Sequence, residues 1–290
     1  MIASTEIGIA DYHASEYVSH SKLKVFAELG PFAYRSRFLL GENRQEVTEV
    51  MRLGQAVETY LQDPDVFRAT YSEAPAIEGK ADDALLAEAL SLGVLSEDGK
   101  PFSKRHGAST VQLAILRAKG GDVLTRSQME RIERMAQSFD RNRDARALVA
   151  GMTTQVTLRD DFAGLDILPG IQSRPDWYHA IDGDSVDLKC VESFAAFDKA
   201  IGDREYAAQA ALIDIITGSS APRTLIALES TWPFRCQVVD LAPAWVDLGH
   251  AWVQRQLAGL RECYTRNEWP LCETRRTSYP PAWRLAKEGL

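Results

Sequence analysis

Two short stretches of this chain hold residue types that could do hydrolytic chemistry. Arg174-Pro175-Asp176 is followed, eleven residues after Asp176, by Asp187-Leu188-Lys189. In Ser185-Val186-Asp187-Leu188-Lys189-Cys190 apolar and polar residues alternate, and successive strand side chains point to opposite faces. Val186, Leu188 and Cys190 are expected to face a core. Asp187 and Lys189 then project together from the other face, about 6–7 Å apart along the strand. Asp176 belongs to the preceding strand-like run, Ile171 to Tyr178, across a turn at Asp182-Gly183-Asp184. Two carboxylates and one ammonium would meet on adjacent strands. Carboxylate oxygens suit Mg²⁺ or Mn²⁺, and a divalent ion beside a lysine suits phosphodiester hydrolysis.

A lone Asp-x-Lys is ordinarily a solvated strand face. Pro175 argues otherwise, because proline removes a ladder donor and marks an edge or a bulge, where a side chain can be turned into a site. Glu58 lies one helical turn after Gly54 on the same face, so Gly54 is expected to let that helix approach the sheet and aim Glu58 at the carboxylates. The bland alternative is a glutamate on the rim of an amphipathic helix. Gln209, three residues after Tyr206, could donate to DNA or hold a water; otherwise it is a helix-surface amide. Arg35-Ser36-Arg37 and Lys100–Arg105 are local basic spots of the kind usually spent on solvation.

The elements that must hold these groups can be read in outline. Ser19 or Ser21 caps a helix through Glu28 that ends at Gly30-Pro31. Val50, Leu53, Gly54, Val57 and Leu61 recur at helical spacing up to Asp63-Pro64. Residues 72–122 read as loops around one or two short helices. Thr125 and Gln128 form a capping box, opening a helix with Ile132, Met135, Ala136 and Phe139 on one face. From Thr153 the period becomes two, with a turn at Asp160-Asp161 and Gly164. The strands of the site follow, then a helix capped by Asp203 and ending at Thr217-Gly218. Strands over Arg223–Ser230 and Arg235–Asp240 and a helix from Pro243 to Asn267 close the chain, ahead of a Tyr279-Pro280-Pro281-Ala282-Trp283 tail. The expected fold class is α/β (α+β): a mixed central β-sheet flanked by helices, with an N-terminal helical portion. The chain reads as a single domain over 1–290, with a mainly helical 1–150, a catalytic sheet core over 151–242, and a C-terminal helix and tail over 243–290.

Composition sets the outer bounds. The chain has 290 residues, 45 % hydrophobic and 26 % charged, as in an ordinary globular protein. No apolar run approaches the ~20 residues that span a bilayer, and no signal-peptide pattern opens the chain, so a cytoplasmic protein is expected. The net charge of −8 argues against a uniformly basic nucleic-acid coat but not against a local basic groove. Cys190, Cys236, Cys263 and Cys272 fit no zinc or iron–sulfur spacing and read as free thiols. His13, His20, His106, His179 and His250 form no metal spacing. There is no G-x-S-x-G, G-x-G-x-x-G or Walker motif, which argues against a serine hydrolase or a nucleotide-fuelled motor.

These residues, in this order, resemble the PD-(D/E)XK nuclease superfamily, with the closer likeness to the exonuclease VIII (RecE-like) branch, of the lambda-exonuclease type found in phages and prophages. The likeness runs through Tyr12-His13…Val18-Ser19-His20-Ser21-Lys22-Leu23 and Pro31-Phe32-Ala33-Tyr34, then Met51-Arg52-Leu53-Gly54-Gln55-Ala56-Val57-Glu58 with Leu61-Gln62-Asp63-Pro64. It continues in Arg174-Pro175-Asp176, Val186-Asp187-Leu188-Lys189, Tyr206-Ala207-Ala208-Gln209 and Pro281-Ala282-Trp283. It implies a restriction-endonuclease-like core and a metal-dependent DNA exonuclease. Asp176, Asp187, the Leu188 carbonyl and Glu58 would hold Mg²⁺ or Mn²⁺, with Asp176, Asp187, Lys189 and Gln209 as the catalytic set. Lys189 would orient the attacking water and stabilise charge on the phosphate. Arg35, Arg174, Lys104 and Arg105 are the candidate DNA contacts, Arg35 for a 5′-phosphate. The branch further implies 5′→3′ action on linear duplex DNA leaving 3′ overhangs, a single-strand-annealing recombinase as partner, a ring-shaped trimer or tetramer, and work in a bacterial host cytoplasm. The chain departs from the branch at Glu58 (usually histidine), Gln155 (usually glutamate) and Ile213 (usually tyrosine). Those departures keep two alternatives open: a catalytically weakened member serving as a DNA-binding or assembly component, and a related nuclease acting on flaps or single-stranded ends.

Overall fold

A computed structural model of the protein describes residues 2–43, 47–161, 169–203 and 205–271. Strand β1 (Ile2–Ser4) precedes helices α1 (Ile9–Ala14) and α2 (His20–Tyr34), a π-helical turn (Arg35–Leu39), α3 (Glu49–Gln62) and α4 (Pro64–Thr70). Strand β2 (Tyr71–Glu73), α5 (Asp83–Ser91), α6 (Ala108–Ala118) and β3 (Asp122–Leu124) follow, then α7 (Arg126–Arg141) and α8 (Arg143–Val149). Next come β4 (Thr153–Thr154), β5 (Thr157–Asp160), β6 (Ile171–Ser173), β7 (Trp177–Tyr178) and β8 (Ser185–Val191). A 3₁₀ turn (Phe194–Ala196), α9 (Phe197–Asp203), α10 (Tyr206–Thr217), β9 (Arg223–Glu229), β10 (Cys236–Asp240) and α11 (Pro243–Arg266) complete the described part.

The main sheet has the order β10-β9-β8-β7-β4. Only β8 and β9 run parallel. Parallel neighbours need a crossover, and α9–α10 supply it. A second sheet has the order β1-β5-β6, and β2 pairs with β3 in parallel. The helix boundaries follow local chemistry. The Ser19 hydroxyl accepts from the Lys22 amide, Thr48 from Met51, and the Thr125–Gln128 capping box is complete. The Asp63 carboxylate accepts from Asp65 and Val66, with Pro64 as the first residue of α4. So Asp63-Pro64 ends one helix and starts the next.

Three expectations needed correction. Gly30, at φ +86°, interrupts α2, but the helix resumes at Pro31 and runs to Tyr34. Asp203 ends α9 rather than capping the next helix; α10 starts after Glu205, in the left-handed region at φ +55°. Gly54 has open space where a Cβ would stand, so α3 does not need it for close approach. The glycine that does serve such an approach is Gly249 in α11, where a Cβ would lie 2.3 Å from the Ala207 carbonyl oxygen of α10. Residues 72–122 hold two helices, as expected, with their own small core of Ala81, Ala89, Val111 and Ile115. Gly164, Cys272 and the Tyr279–Trp283 tail lie outside the described residues.

Apolar clusters cover both faces of the sheet region. One joins Leu158 and Ile171 to Leu23, Leu212, Ile213, Leu257 and Leu260 from α2, α10 and α11. The other packs Trp177, Val186, Leu188, Ile226 and Leu228 against Leu53 and Val57 of α3 and Ile132, Met135 and Phe139 of α7. Val186 and Leu188 therefore face the α3–α7 side, with Cys190 partly buried there, and Asp187 and Lys189 turn towards α10. Among the described residues no helix is long and apolar enough to cross a membrane.

Candidate active site

The Ile171–Tyr178 run is one strand by sequence pattern and two in space. β5 pairs with β6 and β4 with β7 in a continuous register, but the ladder is broken across Gln155-Val156 and Pro175-Asp176. Proline has no N–H to give, and Gln155 sits at φ +59°. The expected edge or bulge is thus a gap in the ladder without a register shift. Arg174 braces it. Its guanidinium donates twice to Gln155 Oε1 (3.0 and 2.7 Å), to the Ile7 carbonyl (2.7 Å) and to Thr157 Oγ1 (2.7 Å).

The gap turns Asp176 onto β8, where its Oδ2 accepts from the Leu188 amide at 2.6 Å. The Asp176 carbonyl, freed from the ladder, accepts from Gln62 Nε2 at 3.0 Å. Gln62 lies one turn beyond Glu58 on α3 and also donates to Glu58 Oε1 at 3.2 Å. Gln155 Nε2 donates to Glu58 Oε1 at 3.1 Å and to Gln62 Oε1 at 2.5 Å. On the α10 side, Lys189 Nζ stands 3.5 Å from Asp187 Oδ1, donates to Gln209 Oε1 at 2.9 Å and lies 4.8 Å from the Tyr206 ring centre.

The electrostatics follow from burial and crowding. Asp176 is held well above the usual carboxylate range, first by desolvation and then by the charges of Glu58 and Asp187. Glu58 is raised by desolvation and by Asp187. For Lys189, desolvation pulls downwards, but Asp187 and Asp176 outweigh it, so its pKa rises and it stays an ammonium. Three carboxylates thus face one lysine in a low-dielectric place. Such a centre lacks positive charge, and its donors are all oxygen, as a hard divalent cation requires. Among the described residues, no three acidic, histidine or cysteine side chains are grouped closely enough to hold an ion by themselves. The excess of carboxylates over cations and the all-oxygen donor set nevertheless fit a divalent cation.

Asp176, Glu58, Gln62, Gln155 and Gln209 line a cavity of about 770 Å³ that extends to Thr70, Tyr71 and Asp122. His20 lines it too; its Nε2 is buried without a partner, and burial lowers its pKa to about 3. Arg174 also lines the cavity, with its guanidinium hydrogen-bonded to Gln155, Thr157 and Ile7, so it braces the gap. Lys104 pairs with Asp83 and Arg105 with Asp98, both exposed and away from the cavity lining. Arg35 is exposed on the π-helical turn and is not part of the lining. Glu58, Asp176, Asp187, Lys189 and Gln209 are brought together; these three basic residues are not brought to them. Sequence reasoning missed Gln62, although its position four residues after Glu58 on one helix face was a usable signal. Cys190, Cys236 and Cys263 are free thiols.

The chain matches the family model "PDDEXK-like domain of unknown function (DUF3799)" over residues 19–276, and it belongs to that family. Its fold is the mixed α/β fold of PD-(D/E)XK nucleases, and the resemblance stated above is thereby supported at the level of the superfamily. A candidate exonuclease from Eubacterium rectale superposes with a TM-score of 0.60 over 100 % of this chain and 99 % of its own, at 14 % identity. An alkaline exonuclease from Laribacter hongkongensis aligns over 64 % of this chain and 97 % of its own, at 15 % identity and a TM-score of 0.29. No curated protein matches the chain.

Proposed function

We propose that the protein is a divalent-metal-dependent DNA exonuclease. The observation that carries this reading is the convergence of Asp176, Asp187 and Glu58 on one lysine, Lys189, in a chain of the PDDEXK-like family. Held by Asp176, Asp187, the Leu188 carbonyl and Glu58, Mg²⁺ or Mn²⁺ would supply Lewis-acid polarisation of the phosphate and a lowered water pKa. Lys189 carries the positive charge that meets the phosphorane-like transition state and donates hydrogen bonds to the attacking water or a phosphate oxygen. Gln209 fixes the direction of Lys189, since its Oε1 takes one of the three ammonium protons. Arg174 and Gln155 keep the ladder open so that Asp176 stays aimed at β8.

The resemblance supports the finer reading: linear duplex DNA degraded 5′→3′, 3′ overhangs left for phage-type recombination, an annealing recombinase as partner, a ring of subunits, and work in a host cytoplasm. A second reading has its own observation. Gln155 stands where the branch usually has glutamate, and its amide is spent on Glu58, Gln62 and Arg174. A neutral group there weakens any second metal site, so a weakened, DNA-binding member is the alternative. The test is degradation of 5′-phosphorylated linear duplex DNA with Mg²⁺ or Mn²⁺, wild type against Asp187→Ala. Metal-dependent loss of DNA, absent in the variant, supports the enzyme. No loss with folded wild type in either metal overturns it in favour of the second reading.

A further inference from the structure

The loop that joins β9 to β10 carries side chains for which the hydrolytic centre has no use. Trp232, at its tip, is 83 % exposed. A large indole left in water forgoes the burial its apolar surface would otherwise gain, and such a ring is a candidate for function when its neighbours share a chemistry. Here they do. The Arg134 guanidinium of α7 lies 5.7 Å from the Phe234 ring centre. Arg235 lies 4.9 Å from the Phe194 ring centre. Arg131, also of α7, donates to the Ser230 carbonyl at 2.8 Å. Arg235 is neutralised by buried Glu229, at 2.5 Å. Arg131 and Arg134 have no ion-pair partner among the described residues. The patch is therefore one bare aromatic face on a loop whose Ser230 and Phe234, two residues to either side, each meet a guanidinium that has no ion-pair partner, on a chain whose net charge is −8.

We infer that residues 230–235, with Arg131 and Arg134 of α7, form a contact site for single-stranded nucleic acid, one base stacking on Trp232 and the flanking phosphates meeting the two arginines. Aromatic stacking accepts any base, and arginines beside it neutralise the backbone. A single strand is specified because a base inside a duplex is already stacked on both faces and has none to offer a side chain. The position suits a strand leaving the hydrolytic centre. β8 and β9 run parallel with Lys189 opposite Ala227 and Val191 opposite Glu229, and the Ser230 amide donates to the Val191 carbonyl at 2.8 Å. The loop thus starts directly beyond the end of the strand that carries Asp187 and Lys189. At about 3.3 Å per residue, Trp232 stands roughly 10–15 Å past the level of Lys189. This inference rests on the nucleic-acid reading of the site and names the path of the unpaired strand.

The test is binding of a fluorescently labelled oligothymidylate to the full chain in EDTA, followed by anisotropy, so that no hydrolysis interferes. Trp232→Ala should weaken binding about tenfold, the size of one base–aromatic stack. Trp232→Phe, which keeps a ring, should recover most of that. Arg134→Ala should weaken binding and reduce the salt slope by about one. Blunt duplex should bind equally to wild type and Trp232→Ala. Unchanged oligothymidylate affinity in folded Trp232→Ala, or no single-strand binding by wild type, overturns the inference whether or not the chain degrades DNA. Weakened binding by Trp232→Ala in a chain that fails to hydrolyse DNA leaves the inference standing and overturns only the enzymatic reading.

Discussion

Replacing Lys189 with methionine keeps the length of the side chain and removes the one cation that faces three carboxylates, Asp187 buried and Asp176 and Glu58 half-buried. Its nitrogen is 3.5 Å from Asp187 Oδ1, and the two side chains are only 13 % and 10 % exposed. At an effective dielectric of about 20, one such pair is worth roughly 5 kcal/mol, and losing one partner of a buried pair costs about 3–5 kcal/mol. The protein has an escape, which is to take up a proton on the carboxyls. Asp176 and Glu58 have raised pKa values, so their share of stability is fully present below their unfolded values, near pH 4, and is lost as pH rises through the folded ones. Without Lys189 those folded values rise further, and the loss extends to higher pH. Lys189 itself, raised above its ordinary range, does not titrate in this window. Metal-free Lys189→Met should therefore be less stable than wild type by about 3–5 kcal/mol at pH 8. The gap should narrow steadily towards pH 5. Urea denaturation in EDTA at several pH values measures it. Equal stability at pH 8, or a deficit that does not shrink on acidification, would refute the electrostatic account of the centre.

Glu58→Gln acts in the opposite sense: the raised pKa of Glu58 means that removing its charge stabilises metal-free protein at neutral pH, an advantage that should fade near pH 4, as read from the same denaturation curves. Gln209→Leu removes the acceptor at 2.9 Å that aims Lys189; it should lower kcat on linear duplex by about tenfold or more while leaving KM close to wild type, and an unchanged kcat would remove Gln209 from the mechanism. Gly249→Ala places a Cβ 2.3 Å from the Ala207 oxygen and 2.6 Å from its carbon, both backbone, so α10 and α11 must separate. The overpacking should cost about 1–3 kcal/mol or more, visible as a lowered Tm.

The sequence by itself determined the groups that depend on local rules. Alternation in Ser185–Cys190 put Asp187 and Lys189 on one face, because strand side chains alternate whatever surrounds them. Capping chemistry at Ser19, Thr48 and Thr125 set helix starts through contacts three residues long. Pro175 announced an irregularity beside Asp176 because it lacks a donor. Where a contact spans the chain, local rules fell silent. That Arg174 braces Gln155, 19 residues away, follows from a ladder gap that only paired strands create. That Gln62 joins Asp176 across 114 residues depends on where α3 packs. Gly249, and not Gly54, proved to be the glycine of a close helix approach, because tightness is a property of two elements and not of one. The same holds for the Trp232 loop: its tryptophan is plain in the sequence, but the arginines that flank it come from α7, almost a hundred residues earlier. Residue type and spacing fix which face a side chain takes on its own element, and only the packing of elements fixes what that face meets.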